Sequence, residues 1–487
     1  MSITLLVLAL LAPLLAGASL LAACGTGEGT DRGPGMLPWT LGAGFVAGVL
    51  VLTSIMRIDA WIGVPFGIAS IGGPVLALTA IFAWMAKRRG VAPARAWAAS
   101  LRTLAGQDLA KPARLAWLAL VAWIAVRLAL LLAEVALRPL YAWDAWSVWA
   151  TKAKVFYAMR TVVPFADLAG WTSATTPVWF DAAPLQSRML PLLQAWIATA
   201  IGAWDDASVA LPWWLFLVAL ILVVYGEIRR RGAPPLHALV AAWLAGSLPL
   251  LGMQVALAGY ADLPLAAAFT LGALAGVRAV RTRVPADIVA AGAALASLAL
   301  MKSSGWAWIV VALPGLVAVA LPRRWHRRIG VLLVVAAIAV VGIAARFPNL
   351  AFGPVSFDYA PVWETLASDG VLLANWHLLA FGIIGTILLR RRRLVDAEMA
   401  PLTLILAAGS IWIAALAAFP ALRLWGADFL GLNRAILVLA PFAIAWMAVA
   451  ILDAPAEAVE SVEAPADAAP AQGATIAPSP EPTPESA

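Results

Sequence analysis

Residues that commonly build disulfides and zinc sites are nearly missing from this chain of 487 residues. A single cysteine excludes a disulfide within the chain. The three histidines, His237, His326 and His377, are scattered along the sequence and give no zinc-type cluster. A glycine-rich phosphate loop is also missing, and the lack of an ATP-binding motif argues against a primary pump.

Charged residues are scarce as well, at 12% of the chain against 63% hydrophobic residues, a balance that soluble globular domains do not have. Apolar runs of about 17–25 residues recur, and each can cross a bilayer as a helix. Leu- and Ala-rich runs without strict alternation favour helices over a closed barrel. The sequence therefore predicts an all-α polytopic membrane protein with about thirteen transmembrane helices. The predicted spans are 3–23, 37–55, 68–85, 115–137, 208–227, 235–256, 263–279, 286–301, 304–321, 329–346, 371–389, 400–419 and 435–452.

Lysine and arginine are unevenly distributed between the loops that connect these spans. The net charge of +7 is compatible with nucleic-acid binding, but most of the 33 basic residues fall in five loops that the predicted spans place on one side. The positive-inside rule makes that side the cytoplasm, so we expect a multi-pass protein of a bacterial-type inner (plasma) membrane and no nucleic-acid partner. The five segments are Lys87 to Arg114, Arg229 to Arg231, Arg278 to Arg283, Arg323 to Arg328 and Arg390 to Arg393.

The loops predicted on the opposite, extracytoplasmic side include the longest ones and carry many aspartates. They are residues 138–207, 347–370 and 420–434, so we expect chemistry or recognition on that face. Within the first of them, the apolar segment 189–203 is predicted to lie as a helix at the outer interface. Counting it as a crossing would put the basic run at Arg229 to Arg231 outside.

Three regions follow from this pattern. Residues 1–114 hold N-terminal transmembrane helices and a basic cytoplasmic loop, and residues 115–452 form the transmembrane domain with the outer loops. Residues 453–487 are rich in Ala, Pro and Glu without Lys or Arg, so we expect a disordered cytoplasmic tail. Cys24 follows Leu21-Ala22-Ala23, which resembles a lipoprotein cleavage box, but the lack of a preceding basic residue favours a simple helix end.

The first outer loop opens with residues 143–149, of sequence WDAWSVW, where a predicted helix leaves the membrane. Tryptophan favours this interface, and the roughly helical spacing of Trp143, Trp146 and Trp149 predicts that they share one face there. A charge at the same level needs a partner or a function. Asp144 is open to two interpretations, a helix cap or a general base. Lys152 and Lys154 follow closely and are candidate phosphate ligands, and Trp146 belongs to the same candidate substrate-binding face.

Three more charged residues are predicted on the outer side. Asp262, in the turn of sequence GYADLP with Tyr260 beside it, is either a turn residue or a carboxylate held near the lipid head groups. Lys302 and Arg434 break the positive-inside pattern. Each is either a snorkelling side chain or a cation that binds phosphate.

Together these residues predict one site at the outer boundary of the membrane. The carboxylates of Asp144 and Asp262 would deprotonate an incoming hydroxyl, while Lys152, Lys302 and Arg434 would hold a phosphate. Such a site requires no cofactor. A divalent metal bound by the carboxylates is compatible with this set, but no residue pattern demands one.

Four motifs between about residue 140 and residue 440 together resemble the GT-C superfamily of polytopic glycosyltransferases. The family 39-like members are the most similar, related to polyprenyl- or dolichyl-phosphate-sugar-dependent mannosyltransferases and to the lipid A aminoarabinose transferase. The motifs are Trp143-Asp144-Ala145-Trp146 with Lys152-Ala153-Lys154, Leu190-Pro191-Leu192-Leu193-Gln194-Ala195-Trp196 with Trp204-Asp205-Asp206, Gly259-Tyr260-Ala261-Asp262-Leu263-Pro264, and Asn433-Arg434.

The resemblance implies an enzyme with a GT-C-like fold, whose long first outer loop carries the acidic base, here Asp144, with a second acidic position at Asp262. The reaction would move a sugar, with inversion, from a polyprenyl-phosphate donor to a hydroxyl of a glycolipid, polysaccharide or protein acceptor on the extracytoplasmic face. The chain departs from its relatives at residues 183–188, where they tend to have a His or Asp and a Tyr-Pro element. Asp181 is the candidate replacement.

Two other classes remain open at the level of sequence. A transporter or lipid flippase places ionisable groups near the bilayer midplane, often on broken helices. Arg127 and Glu134, seven residues apart on one face of a span, are the candidates for that role, although a structural role within the bundle is the other interpretation. A polysaccharide ligase or polymerase would also combine large outer loops with lipid-linked donors.

Overall fold

The computed structural model describes residues 3–25, 34–90, 109–346, 351–352, 355–356, 359–372, 374–419, 422 and 429–452. Of these described residues, 81% are helical. The α-helices are α1 (Ile3–Cys24), α2 (Met36–Ile62), α3 (Gly73–Arg88), α4 (Lys111–Leu137), α5 (Thr151–Met159), α6 (Leu168–Ser173), α7 (Met189–Ile201), α8 (Asp206–Arg230), α9 (Pro235–Ser247), α10 (Pro249–Ala256), α11 (Asp262–Thr282), α12 (Pro285–Met301), α13 (Gly305–Ala320), α14 (Arg323–Arg346), α15 (Trp363–Ala367), α16 (Leu379–Arg390), α17 (Ala400–Ala418) and α18 (Phe429–Ile451).

Short irregular elements join these helices. Three π-helical turns cover Ile68–Gly72, Ala145–Ala150 and Ser368–Leu372, and 3₁₀ turns cover Ala374–Trp376 and Arg393–Val395. The strands within the described residues have two residues each. They are β1 (Phe165–Ala166) parallel to β2 (Trp179–Phe180), and β3 (Ala351–Phe352) antiparallel to β4 (Val355–Ser356).

The described helices support a polytopic membrane protein but do not confirm thirteen spans. Nine are long and apolar enough to cross a membrane, and α9 with α10 makes a tenth if this bent pair is one span. The spans predicted at 286–301, 304–321 and 371–389 correspond to the shorter helices α12, α13 and α16, of 17, 16 and 12 residues. At about 1.5 Å per residue, 12 residues cover about 18 Å, which is less than the hydrocarbon thickness of about 30 Å.

The helices differ strongly in how much protein surrounds them. In α11, 89% of the most apolar 18-residue window is buried, so this Ala- and Gly-rich helix forms the centre of the bundle. In α4 and α14 only 6% is buried, although both are apolar. A helix that is apolar on all sides and not covered by protein indicates contact with lipid.

The N-terminal helices pack directly on the rest of the bundle. α1 contacts α2 and α3, and α2 contacts α8 and α12. Glycines allow the close approach of these helices: a Cβ on Gly44 would lie 2.7 Å from the backbone N of Ala18, and a Cβ on Gly42 would lie 2.5 Å from the carbonyl O of Ala219. The predicted boundary at residue 114 does not separate compact units, because residues Met1–Leu452 form one.

The segment 189–203 forms the expected helix, α7, but protein covers it. All but two of its 13 residues are buried, and it contacts α1, α2, α5 and α8. An interfacial helix would turn its apolar face to lipid, so the expectation that this helix lies on the membrane surface is wrong. The predicted tail 453–487, most of the basic loop 87–114 and parts of the outer loops 347–370 and 420–434 lie outside the described residues.

Charged residues separate to the two ends of the bundle. α8 starts at Asp206 and ends at Arg230, and α11 starts at Asp262 and carries Arg278 in its last turns. We call the two ends the aspartate end and the arginine end. The 21 residues of α11 place them about 30 Å apart.

Candidate functional site

Asp144 lies near the start of the helical segment that follows α4. This segment begins at Trp143, passes through the π-helical turn Ala145–Ala150 and continues as α5. The Asp144 side chain makes no capping hydrogen bond to it. Instead, Arg434 Nη2 donates a hydrogen bond of 2.7 Å to Asp144 Oδ2. Of the two interpretations of Asp144, the geometry therefore does not favour the helix cap.

Asp262 joins the same place from the first residue of α11. Its Oδ1 accepts a hydrogen bond of 2.6 Å from Lys302 Nζ, and its Oδ2 lies 3.5 Å from Arg434 Nε. Arg434, near the start of α18, therefore contacts both aspartates. Lys302, the residue that follows α12, contacts Asp262. These four side chains, Asp144, Asp262, Lys302 and Arg434, form what we call the four-charge cluster.

Tyr260 completes one side of this cluster. The Cζ of Arg434 lies 4.8 Å from the centre of the Tyr260 ring, within the range of a cation–π contact. Burial raises the pKa of the Tyr260 phenol, and the negative charge of Asp144 raises it further. The phenol therefore stays protonated at neutral pH and keeps a hydrogen-bond donor at the cluster.

The turn before α11 is held against the Asp144 segment by backbone contacts. Gly259 has φ +111°, a conformation that favours glycine, and a Cβ there would lie 3.0 Å from the Cα of Ala145. Buried Trp213 in α8 donates its Nε1–H to the carbonyl O of Tyr260 at 2.5 Å. Trp213 carries no distinguishing signal in the sequence, because it is one of 24 tryptophans and lies in an apolar helix.

The two carboxylates of the cluster differ in how far solvent can reach them. The Asp144 side chain is 31% exposed and that of Arg434 25%, whereas the Asp262 side chain is 3% exposed. A carboxylate can take a proton from an incoming group only if that group reaches it. Asp144 is therefore the carboxylate that an incoming group can reach, whereas Asp262 is enclosed and contacts both cations.

Lys152 and Asp181 do not belong to the four-charge cluster. Their side chains are fully buried and form an ion pair with each other, and Lys152 Nζ also donates to the carbonyl O of Ala183 at 2.9 Å. Burial lowers the pKa of Lys152, and the pairing with Asp181 opposes that shift. Predicting Lys152 and Asp181 as substrate ligands was wrong for this geometry, since both are enclosed. They instead tie α5 to the 181–188 loop.

Lys154 lies on the other side of α5, away from that pair. Its Nζ is 3.7 Å from Asp206 Oδ1 and 5.3 Å from the centre of the Trp204 ring, and its side chain is half exposed. The structure gives it no contact with the four-charge cluster. The Trp-Asp-Asp motif after α7 therefore supplies its partners.

The predicted tryptophan face is right for two of its three members. Trp143 and Trp146 are exposed and pack edge to face, with ring centres 5.1 Å apart. Trp149 is buried in the core. The π-helical turn between them adds residues per turn, so the α-helical spacing that placed all three on one face does not apply.

Residues 183–188, where the sequence departs from the GT-C pattern, lie near Lys302. Gln186 Oε1 accepts hydrogen bonds of 3.3 Å from the N and Oγ of Ser303, and Ser187 Oγ donates to the carbonyl O of Ala299 at 3.2 Å. The segment therefore lies between the buried Lys152 pair and the end of α12.

No set of three or more His, Cys, Asp or Glu side chains within the described ranges is grouped to hold a metal ion. The two carboxylates of the four-charge cluster already face cations.

A large cavity lies between α4, α9, α10, α16 and α18. Its volume is about 1510 Å³, and most of its lining residues are apolar. It begins at Pro234 and Ile451 near the arginine end and reaches Glu134 and Ala256. Its polar lining residues are Arg127, Glu134, His237, Ser247, His377 and Thr386, together with the indoles of Trp123, Trp243 and Trp376.

Arg127 holds the break in the broken helix that lines this cavity. α9 and α10 are bent by 55° at Leu248, where a following proline disfavours the helical conformation. Arg127 Nε donates to the carbonyl O of Gly246 at 2.9 Å, and its Nη2 donates to that of Leu248 at 3.3 Å. Glu134 pairs with Arg138 at 2.7 Å. The predicted span 235–256 gave no sign of the bend, apart from its Leu-Pro step.

No protein-family model, no curated protein and no solved structure matches this chain, so the resemblance to GT-C glycosyltransferases stays a prediction.

Proposed function

We propose that this protein is a membrane glycosyltransferase of GT-C type. It moves a sugar from a polyprenyl-phosphate donor to a hydroxyl of a glycolipid, polysaccharide or protein acceptor. The observation that carries the proposal is the four-charge cluster, in which an accessible carboxylate meets two cations from separate helices. This is the set of groups that such a transfer uses: a base for the hydroxyl and positive charge for the phosphate leaving group.

The charge distribution supports a site on the extracytoplasmic side. The four-charge cluster lies at the aspartate end, and Arg230, Arg231 and Arg278 lie at the arginine end about 30 Å away. The positive-inside rule favours a cytoplasmic arginine end, and we propose an inner (plasma) membrane. The site then faces the extracytoplasmic side.

The cavity supports a lipid-linked donor. Its long apolar lining suits an isoprenoid chain. The cavity reaches Glu134 and Ala256, and the polypeptide continues from these two residues towards Asp144 and Tyr260. A polyprenyl phosphate whose isoprenoid chain lies in the cavity would bring its phosphate towards Arg434 and Lys302. Apolar pockets with a few placed polar groups are typical of ligand sites.

The four-charge cluster can supply the groups that accept the proton and stabilise the leaving phosphate. The acceptor oxygen attacks the anomeric carbon and loses its proton to Asp144, while the bond between that carbon and the phosphate oxygen breaks, with inversion. Protonation removes the negative charge that Asp144 offers to Arg434. The Arg434 guanidinium can then stabilise the charge that grows on the departing phosphate, with Lys302 beside it. Asp262 keeps both cations in place. A divalent metal is not needed for these steps.

The decisive experiment measures sugar transfer by the Asp144→Asn variant from labelled polyprenyl-phosphate sugars, with release of the carrier phosphate as readout. Loss of a positioned general base reduces the rate by about 10²–10⁴-fold. The thermal stability in detergent should stay close to that of the wild type, because the amide keeps the shape of the side chain. A polyprenyl-diphosphate glycan in a parallel reaction tests the ligase or polymerase alternative.

Asp206→Asn is the matched control for this variant. Asp206 is also a carboxylate at the aspartate end near a lysine, but it lies outside the four-charge cluster. We expect it to retain transfer. Wild-type rates for Asp144→Asn with every donor would remove Asp144 from the mechanism.

A second candidate function, a lipid flippase, is favoured by one observation, the broken helix α9–α10 with Arg127 at the bend. The mostly apolar lining argues against a path for a hydrated solute. Movement of a labelled polyprenyl-phosphate lipid across the bilayer of reconstituted vesicles, without sugar transfer, would select this candidate.

A further inference from the structure

The break between α9 and α10 brings together polar side chains from two other segments of the chain. Arg127 of α4 donates from Nε to the carbonyl O of Gly246 at 2.9 Å and from Nη2 to that of Leu248 at 3.3 Å. His377, in the turn before α16, has its Nε2 3.0 Å from the carbonyl O of Ser247. The two side chains therefore meet at the carbonyls of three consecutive residues.

Trp376 lies at the same place and has a hydrogen-bond donor to spare. The bond from His377 fixes this turn at the break, and the 3₁₀ turn Ala374–Trp376 packs on α10. Trp376 lines the large cavity together with Arg127 and His377. Its side chain is 1% exposed, and its Nε1–H is buried without an acceptor. Because buried donors are normally hydrogen-bonded, this indole N–H points to a ligand that brings an acceptor.

Arg127 is a cation without a carboxylate partner. Its hydrogen bonds go to neutral carbonyls, and it forms no ion pair with any residue in the described part of the chain. Glu134, the carboxylate in the cavity lining, is seven residues or about 10 Å further along α4 and pairs with Arg138 at 2.7 Å. A cation away from water is costly unless its charge is balanced. An anionic group beside Arg127 would supply the charge that the carbonyls do not.

The position of the break indicates what kind of anion fits. The 13 residues of α9 place Ser247 about 20 Å from the arginine end, within a hydrocarbon layer about 30 Å thick. Most of the cavity lining is apolar. Trp123 and Leu130 in that lining belong to α4, a helix of which only 6% is buried, so the cavity borders the lipid. A ligand that enters from the bilayer needs an apolar chain behind its anionic head.

We propose that the cavity binds an anionic lipid whose head group is held by Arg127 and the Trp376 Nε1–H at the break between α9 and α10. The chemistry required is an anionic oxygen on a long apolar chain, which a fatty carboxylate and a prenyl phosphate share. This head-group position is distinct from the four-charge cluster, because the eight residues of α10 and the turn before α11 separate the two. The proposal does not rest on the transfer reaction. A lipid bound in this way would compete with the isoprenoid chain of the proposed donor for the same cavity.

The test is lipid binding to purified full-length protein in a non-ionic detergent, with the bound ligand counted by native mass spectrometry. Separate titrations use oleate, farnesyl phosphate and the neutral oleyl alcohol. We expect an anionic lipid to bind at least about tenfold more tightly than the alcohol, which brings no charge to Arg127. Binding of oleate alone identifies a fatty carboxylate, and binding of farnesyl phosphate alone identifies a prenyl phosphate. Failure of both to bind would overturn the proposal.

Variants of Arg127 locate the head group. Arg127→Gln should weaken binding of the anionic lipid about 10–100-fold, as expected for loss of a charged hydrogen bond, whereas Arg127→Lys should keep part of the affinity. Arg114→Gln is the matched control, because Arg114 is an exposed arginine of the same helix outside the cavity lining. An Arg127→Gln protein that folds and binds with wild-type affinity would contradict the proposal.

Two further variants keep the test decisive. Trp376→Phe removes an N–H that has no acceptor in the protein, so it costs no hydrogen bond on folding but should weaken binding about 2–10-fold. It decides the matter if Arg127→Gln does not fold, and unchanged affinity would then overturn the proposal. Arg434→Gln should leave oleate binding unchanged, even where it abolishes sugar transfer. Oleate binding that is lost in Arg434→Gln but kept in the Arg127 and Trp376 variants would place the head group at the four-charge cluster instead.

Discussion

The two ends of the helical bundle carry the same chemical groups in opposite settings. At the arginine end, Glu227 lies 3.4 Å from Arg230, 3.1 Å from Arg231 and 3.7 Å from Arg278, and its side chain is fully buried. Asp287 adds contacts to two of the same arginines. At the aspartate end, the four-charge cluster leaves the side chains of Asp144 and Arg434 partly exposed.

This difference teaches that burial, rather than residue type, separates scaffold from site. The network around Glu227 encloses its carboxylate completely, so it has no room for a ligand and can only hold α8, α11 and α12 together. The four-charge cluster is closed at Asp262 and open at Asp144.

Among the variants that test this contrast between the two ends, Glu227→Gln should have the largest effect on stability. It leaves three arginines around a neutral amide, and loss of one partner of a buried ion pair costs about 3–5 kcal/mol. We expect a large drop in thermal stability and in folded yield, measured by unfolding in detergent. Transfer per folded molecule should remain near the wild-type value, because the site is about 30 Å away. A stable Glu227→Gln protein with a normal melting temperature would contradict the role of this network.

The helices and the four-charge cluster show what a sequence can predict. All thirteen apolar runs correspond to helices, because hydrophobicity and length are local properties of the chain. Lys302 and Arg434 stand out because they break the positive-inside pattern. Asp144 stands out as a charge among interfacial tryptophans and Asp262 as a carboxylate in a short outer turn, and the four side chains meet in space. Which of these side chains pair with each other depends on helix packing, and local sequence patterns do not predict that packing.

The Lys-Ala-Lys motif shows where such prediction fails. Lys152 and Lys154 are alike in sequence, but one points into the protein and the other towards Asp206. A π-helical turn immediately before α5 sets which lysine turns inward, and no local residue pattern indicates that turn. The burial of Asp181, far along the loop, completes the difference.

The lysine pair offers a matched second prediction. Lys152→Met leaves Asp181 buried without its partner and should cost about 3–5 kcal/mol, whereas Lys154→Met removes an exposed pair and should cost less than about 1 kcal/mol. Unfolding in detergent measures both. Adding Asp181→Asn to Lys152→Met should recover part of the loss, since the buried charge is then gone. Equal effects of the two single variants would show that Lys152 is not the enclosed member.

The break between α9 and α10 marks the other limit of sequence reasoning. A run of apolar residues reads as one continuous span, and only the Leu248-Pro249 step gives a local reason to bend. Arg127 comes from a different helix, and its bonds to the freed carbonyls stabilise the bend. Its guanidinium fits against the helix because position 252 is glycine: a Cβ there would lie 3.3 Å from Arg127 Cζ and closer still to Nη2.

Gly252→Ala therefore gives the smallest and most specific of these effects. The added methyl group displaces the flexible end of Arg127 from the carbonyls of Gly246 and Leu248. Disturbing hydrogen bonds from a charged donor costs about 1–3 kcal/mol, from which the better helix propensity of alanine recovers about 0.5–1 kcal/mol. Gly385→Ala is the control, because Gly385 lines the same cavity and a Cβ there meets nothing within 4 Å. In an Arg127→Leu background, Gly252→Ala should no longer destabilise, because the methyl group has no guanidinium to displace. An unchanged penalty in that background would show that Gly252 and Arg127 act independently, and that the bend rests on the Leu-Pro step alone.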